Sequence, residues 1–233
     1  MTVAFLIAAY NEMATVGEVL DRIDALPLEL QIVAVDDGST DRTAEVIEAW
    51  AAAHGTDLVL LSLPHKGKGS AIRAAIPHIT AEIAVIQDAD MEYDPVDVPR
   101  LIEPIEGGVA DVVFGSRLIG GRPQRAYLFW HLVGNRVLSL FANVLYNTTL
   151  SDVETGYKAF RTDVLRSLLL TRDDFAIEAE LTGEACRRKL RIYELPIAYY
   201  GRTYAEGKKI TWPDGLKAAW VLMQVRLRRG GSA

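Results

Sequence analysis

The stretch QDADMEYDP, residues 87–95, sets Asp88, Asp90, Glu92 and Asp94 at alternate positions directly after an apolar run. In extended chain, residues two apart lie on one side, about 6–7 Å from each other. Each neighbouring carboxylate pair then repels by about 2–3 kcal/mol at an effective dielectric of about 20. Such crowding asks for a cation among them. A hard divalent ion with oxygen ligands explains D-x-D-x-E better than a solvated turn before Pro95 does. Mg2+ or Mn2+ also leaves coordination positions that the phosphate oxygens of a diphosphate, together with water, would fill. Asp88, Asp90 and Glu92 are the candidate metal ligands, with Ala89 between the first two.

Other polar clusters supply the rest of such a site. AAYNE offers Ala8, Tyr10 and Glu12; the tyrosine either packs over a sheet or stacks on a base, and the glutamate bonds a ribose or an exocyclic amine. In DDGSTD, Asp36 and Asp37 either accept hydrogen bonds from a nucleobase or ribose, or simply form a turn ahead of a helix cap. HKGKGSA resembles the glycine-rich start of a helix, where backbone N–H groups and Lys66 or Lys68 meet phosphate. It lacks the GxxxxGK[ST] spacing of a Walker A loop. FGSR adds Arg117, and YYGRTYAEGKKI adds Arg202, Lys208 and Lys209. These cations are either a solvated face or the countercharge of an anionic substrate, for which arginine offers bidentate contact. His131 lies in an apolar stretch and reads as a core histidine; with no HxxxH or HExxH spacing, a zinc hydrolase has little support.

The elements that must position these residues follow from hydrophobic patterning. TVAFLIAA, QIVAVDD, DLVLLSL and EIAVIQD are short apolar strands, separated by helical patterns near 14–25, 41–53 and 68–79. Ser39, Thr40 or Asp41 caps the second of these helices. The alternation predicts an α/β fold with a mostly parallel sheet, and strands apolar throughout predict helices on both faces. All four polar clusters then fall at strand C-terminal ends, the edge at which open α/β sheets bind ligands. Beyond residue 115 the alternation lapses: YLFWHLVGNRVLSLFANVLYN reads as a long helix and DVETGYKAFR as a short strand or loop. One domain over 1–233 is expected, ending in an amphipathic helix at 212–229 on which Leu216, Ala219, Trp220, Met223 and Leu227 share a face.

Composition narrows the class. Half of the 233 residues are hydrophobic, enough for a full core, and the net charge of -6 offers no general attraction to nucleic acid or to an anionic membrane. No nucleic-acid partner is expected. The single cysteine, Cys186, excludes an intrachain disulfide and fits a reducing compartment. The N-terminus has no basic region and too short an apolar run for a signal peptide, and no stretch reaches the roughly 20 apolar residues of a spanning helix. A cytoplasmic location is expected.

Taken in order, AAYNE, VDDGSTD, HKGKGSA, QDADMEYDP, FGSR, ETGYKAFR and YGRTYAEGKK resemble the family 2 glycosyltransferases of the Rossmann-like GT-A fold. The nearest branch is that of the dolichyl- and polyprenyl-phosphate mannosyl- and glucosyltransferases. The resemblance implies an inverting, Mg2+- or Mn2+-dependent transfer of a hexose from GDP-mannose or UDP-glucose to a lipid phosphate. It gives Asp88 to the nucleotide or metal and Asp90 to the metal, with Glu92 joining the sphere. The nucleoside goes to Tyr10, Glu12, Asp36 and Asp37; acceptor phosphate or donor sugar to Arg117; and the phosphates to Arg202 with Lys208. Departures are Ala9, where the family has proline, and RAYLFWHLVGN in place of a basic-serine segment. A phosphate acceptor needs no strong base, whereas a hydroxyl acceptor needs one, for which Asp152 is the candidate. The alternatives are a soluble enzyme acting on a hydroxyl of a sugar, natural product or protein, and a catalytically silent nucleotide-binding protein. The C-terminal helix either packs on the domain or makes peripheral contact with the cytoplasmic membrane face, near a lipid acceptor.

Overall fold

The computed structural model describes residues 1–126, 128–203 and 212–228. Its strands are β1 (Thr2–Ala9), β2 (Glu29–Asp36), β3 (Asp57–Ser62), β4 (Ile83–Asp88), β5 (Val112–Ser116), β6 (Lys158–Arg161) and β7 (Ile192–Pro196). They form one seven-stranded sheet in the order β3-β2-β1-β4-β6-β5-β7. Only β6 runs antiparallel to its neighbours, β4 and β5. The helices are α1 (Val16–Asp24), α2 (Thr43–His54), α3 (Lys68–Ala75), α4 (Val98–Glu106), α5 (Phe129–Tyr146), α6 (Thr162–Ser167), α7 (Ile177–Arg187) and α8 (Trp212–Leu227).

Strand periodicity explains why β1 is apolar throughout. Val3, Phe5 and Ile7 enter the core with Val19 and Ile23 of α1, Trp50 of α2 and Leu101 of α4. Ala4 and Leu6 enter the opposite core with Ile72 of α3, Ala142 of α5, Ile177 of α7 and Val221 of α8. Each face buries every second side chain, so no polar alternation survives.

Several local expectations change in detail. None of the three cap candidates occupies the N-cap of α2, which is Arg42 and makes no side-chain cap bond; Asp41, one residue earlier, accepts from the Thr43 amide at 3.0 Å. The third helix is shorter than 68–79: α3 ends at Ala75, and a 3-10 turn at Ile76–His78 follows because Pro77 has no amide hydrogen to continue the α-helical ladder. The helix α8 packs on the domain through Ala218, Val221, Leu222 and Val225, while Leu216, Trp220, Met223 and Leu227 face outward. Arg228 pins its end by reaching Glu180 and, at 3.1 Å, Glu184 of α7. Among the described residues, no helix is long and apolar enough to cross a membrane.

The glycines of HKGKGSA have a packing purpose. A Cβ at Gly67 would lie 2.7 Å from the Asp173 carbonyl oxygen, and one at Gly69 would lie 2.3 Å from that of Arg172. Backbone cannot yield as a flexible side chain can. Gly69→Ala is therefore expected to destabilise the chain by about 3 kcal/mol, a fall of roughly 6–12 °C in Tm. Thermal unfolding checks this, and an unchanged Tm would show that the close approach of residues 172–174 is dispensable.

Candidate active site

The reversal of strand order beside β1 creates the crevice. Register sets Ala9 opposite Asp36, Asp36 opposite Ser62, and Ala8 opposite Asp88, so the ends of β1, β2, β3 and β4 form one row. The antiparallel β6 begins at this same edge and brings residues 152–157 to it. Together these segments line a cleft of about 1840 Å³. Ala8, Tyr10, Glu12, Asp37, Lys68, Asp88, Ala89, Asp90, Glu92, Arg117 and Arg202 all face it.

The four carboxylates of QDADMEYDP do not share one side as extended geometry predicts. The strand ends at Asp88, the chain turns, and Met91 adopts a left-handed φ of 62°. Each carboxylate therefore meets its own partner. Asp88 Oδ1 lies 2.5 Å from Lys68 Nζ. Asp90 Oδ2 lies 2.8 Å from Arg202 Nη2. Glu92 accepts from the Tyr199 hydroxyl at 2.8 Å and from the Arg202 amide at 2.7 Å. Asp94 accepts from the Val96 amide and pairs with Arg22, both at 3.1 Å. Lysine and arginine thus supply the cations that the spacing requires.

The expected ligands Asp88, Asp90 and Glu92 are not gathered about one point in this structure. Among the described residues, no group of three His, Cys, Asp or Glu side chains is gathered closely enough for a metal ion. Glu92, on the cleft lining, braces the segment bearing Arg202. Asp88 and Asp90 remain a donor pair of hard oxygens at the cleft floor, a chemistry that fits Mg2+ or Mn2+ with substrate and water completing the sphere. Burial, then the charges of Asp88 and Glu92, raises the Asp90 carboxyl to about 7, and the guanidinium of Arg202 only partly offsets them.

Arg202 joins three segments. Its guanidinium donates to both oxygens of Glu12, at 3.2 and 3.3 Å, as well as to Asp90. The β1 loop is also tied to the D-A-D turn, with the Thr15 hydroxyl donating to the Ala89 carbonyl at 2.7 Å. On the other side of the cleft, Arg117 makes a bidentate pair with Asp152, both contacts at 2.7 Å, and stands 5.0 Å from the Tyr199 ring centre.

Asp152 is not an open base. It is fully buried, its oxygens accept from the Arg117 guanidinium and amide and from Asn135 at 2.8 Å, and the adjacent cation holds its carboxyl below the usual carboxylate range. It orients Arg117.

The nucleoside candidates separate similarly. Tyr10 stacks on His65 with ring centres 3.9 Å apart and an interplanar angle of 20°. Asp37 accepts from the Lys66 and Gly67 amides at 3.0 and 2.8 Å, so it holds the β3–α3 loop under that aromatic pair. Asp36 is buried and accepts from the Ser39 amide at 3.3 Å; it stays behind the cleft wall. Part of the HKGKGSA backbone is engaged within the protein, the Lys66 and Gly67 amides by Asp37. The Ser70 amide donates to the Asp173 carbonyl, Lys66 is exposed away from the cleft, and Lys68 turns to carboxylates. Lys208, with Lys209 and Arg229, lies outside the described residues.

Two groups escaped sequence reasoning. Glu178, 2.8 Å from Lys68 Nζ, is one of three glutamates in α7, and nothing in the sequence sets it apart from Glu180 and Glu184. Glu154, in the ETG of ETGYKAFR, lies on the cleft wall, and burial pushes its carboxyl up to about 7. Gly156 lets this loop in, since a Cβ there would meet Asp88 Oδ2 at 2.6 Å.

The native state keeps a proton on Glu154 that the unfolded chain releases near its ordinary value, so its contribution is full below about pH 4.5 and lost as pH rises through about 7. Glu154→Gln is expected to remove that slope and to add about 1–2 kcal/mol at pH 8. Tm measured from pH 5 to 8 tests it; parallel curves for the two proteins would contradict it.

Comparison with known proteins gives these features a family. The chain is 30% identical over 218 residues to the low-salt glycan biosynthesis hexosyltransferase Agl6 of Haloferax volcanii, covering 92% of this chain and 51% of that protein. It is 32% identical over 203 residues to glycosyltransferase AglJ of the same organism, covering 86% and 63%. It thus spans about half to two-thirds of those two proteins. An undecaprenyl-phosphate mannosyltransferase of Micrococcus luteus is 29% identical over 246 residues, covering 97% of this chain and 99% of that protein. The glucosyl-3-phosphoglycerate synthase of Mycobacterium tuberculosis, solved in complex with Mn2+, UDP and phosphoglyceric acid, superposes with a TM-score of 0.73 at 20% identity. That match covers 99% of this chain and 80% of the other, and gives the fold as GT-A. The glycosyl transferase family 2 profile matches residues 4–169, from β1 through α6, and this chain belongs to that family and has the GT-A fold.

Proposed function

We propose that this enzyme transfers a hexose from a nucleoside diphosphate sugar, GDP-mannose or UDP-glucose, to a polyprenyl or dolichyl phosphate, with inversion at the anomeric carbon. The observation that carries the reading is the two-sided cleft. Its polar floor holds Asp88, Asp90 and Arg202, and the same cleft is walled by Phe129, Trp130 and Val137 of α5 and Leu216 of α8. A sugar diphosphate matches the first part and a phosphate carried on an isoprenoid matches the second. The undecaprenyl-phosphate mannosyltransferase likeness supports the same acceptor class.

Asp88 and Asp90 would hold Mg2+ or Mn2+, as the Mn2+-bearing structural relative suggests. When bound, the ion supplies Lewis-acid stabilisation of the departing diphosphate. Arg202 leaves Asp90 for the phosphate oxygens, and its bidentate fork spreads their charge. The Tyr10–His65 pair offers an aromatic face to the base. Arg117, aligned by Asp152, meets the acceptor phosphate, which is already anionic and attacks without a strong base. The outward residues Leu140 and Val144 of α5 and Trp220 and Leu227 of α8 give the domain an apolar surface for the cytoplasmic face of a lipid membrane.

Incubation with Mn2+, each nucleotide sugar and a short polyprenyl phosphate, followed by detection of glycolipid, tests the proposal. Glycolipid from one donor is expected. Product with a hydroxyl acceptor and none with the lipid phosphate would reverse the acceptor assignment.

A further inference from the structure

Four charges of alternating sign run from the sheet interior to the floor of the cleft. Lys158, fully buried on β6, stands 5.1 Å from the Phe114 ring centre and donates to the Thr155 carbonyl, to the Val153 carbonyl at 3.3 Å and to Glu178 Oε2 at 2.8 Å. Glu178, 5% exposed on α7, has its other oxygen 2.8 Å from Lys68 Nζ. Lys68 Nζ in turn lies 2.5 Å from Asp88 Oδ1. The Lys68 ammonium is thus divided between Asp88, which is open to the cleft, and Glu178, which borders the cleft but is almost wholly buried.

A closed Lys68–Asp88 pair would neutralise the first carboxylate of the D-A-D turn. Buried charge is also costly, and apolar replacements for Glu178 and Lys158 would pack at least as stably. The inner pair therefore calls for a reason other than stability, and the direction of pull supplies one. Glu178, 2.8 Å from the Lys68 ammonium, competes for it with Asp88 at 2.5 Å, and Lys158 competes for Glu178 from the inner side.

We propose that Glu178 is a positioning residue that acts through Lys68, limiting how far the ammonium neutralises Asp88 and so leaving that carboxylate able to take a divalent cation. The inference rests on the assignment of Asp88 and Asp90 as the cation site. Ligand-orienting groups beyond the direct donors commonly change metal affinity by about 10–100-fold.

The test is Mn2+ binding to the full chain, followed by the electron paramagnetic resonance signal of free Mn2+ during titration with UDP or GDP present. Glu178→Gln gives Lys68 wholly to Asp88 and is expected to weaken Mn2+ binding about tenfold. Lys68→Met removes the competing cation and is expected to strengthen it. In the Lys68→Met background, Glu178→Gln is expected to change nothing further, because its route to Asp88 is gone. The same weakening in both backgrounds would overturn the inference, assigning Glu178 a structural or general-field role instead. Should Glu178→Gln not fold, Lys158→Met decides: it leaves Glu178 wholly to Lys68, so tighter Mn2+ binding is expected, and unchanged or weaker binding overturns the inference. Absence of Mn2+ binding by the unaltered chain would overturn the proposed function and this inference with it, whereas binding that is indifferent to these variants overturns the inference alone.

Discussion

Asp90→Asn is expected to lower sugar transfer by about a hundred- to a thousandfold, the scale of losing one preorganised group that stabilises transition-state charge. The fold should not suffer with it. In the free protein Asp90 is a burden, because burial and the charges of Asp88 and Glu92 disfavour its ionised form. A neutral amide of the same shape relieves that repulsion, and Arg202 keeps its contacts with Glu12 and Glu92. Lost turnover with an unchanged or raised Tm is the expected signature, measured as donor consumption alongside calorimetric unfolding. A parallel loss of turnover and Tm would make Asp90 a structural residue.

Asp152→Asn is expected to act in the opposite way, by destabilising the domain. Its carboxylate is fully buried against the bidentate Arg117 guanidinium, whose own side chain is only 14% exposed. Removing one partner leaves the other charge buried and uncompensated, at a cost of about 3–5 kcal/mol. Because its neighbours hold the carboxyl below its unfolded value, its stabilisation is present above about pH 4 and is lost as pH falls through the lower folded value. The difference between the variant and the unaltered chain in urea unfolding should therefore be largest at neutral pH and shrink in acid. Sugar transfer should fall too, since Arg117 loses its alignment. This changes the diagnostic value of the position: the variant loses activity with a phosphate or a hydroxyl acceptor, so it does not separate the two. Near-native stability at pH 7 would show that Arg117 finds another anion.

The architecture was legible because both sheet faces are covered. Apolar runs such as TVAFLIAA can only be strands packed on two sides, and polar residues at their ends must then collect on one edge. Period alone also carried the long helix α5 and its apolar character. Side-chain partners were not legible in the same way. That Asp88 would pair with Lys68, and Asp90 with Arg202, depends on contacts across 20 and 112 positions of sequence, respectively.

Two local differences have plain causes. The same-side placement of Asp88, Asp90 and Glu92 assumed that the strand continued, whereas it stops at Asp88 and turns through Met91. The glycines of HKGKGSA suggested phosphate, but the backbone at Arg172–Asp174 is what approaches them, and sequence spacing gives no sign of a segment a hundred residues away. Glu178 was hidden for a related reason. A glutamate in a helix ordinarily faces water, and only the fold shows that this one lies between two lysines.

The most direct test of the central claim is a crystal structure of the chain with Mn2+ and a nucleoside diphosphate, phased well enough to place the ion by its anomalous signal. The account predicts the ion on Asp88 and Asp90, bridging to the diphosphate, with Arg202 moved from Asp90 to the phosphate oxygens. A diphosphate bound elsewhere, with the Arg202–Asp90 pair intact and no ion beside it, would contradict it.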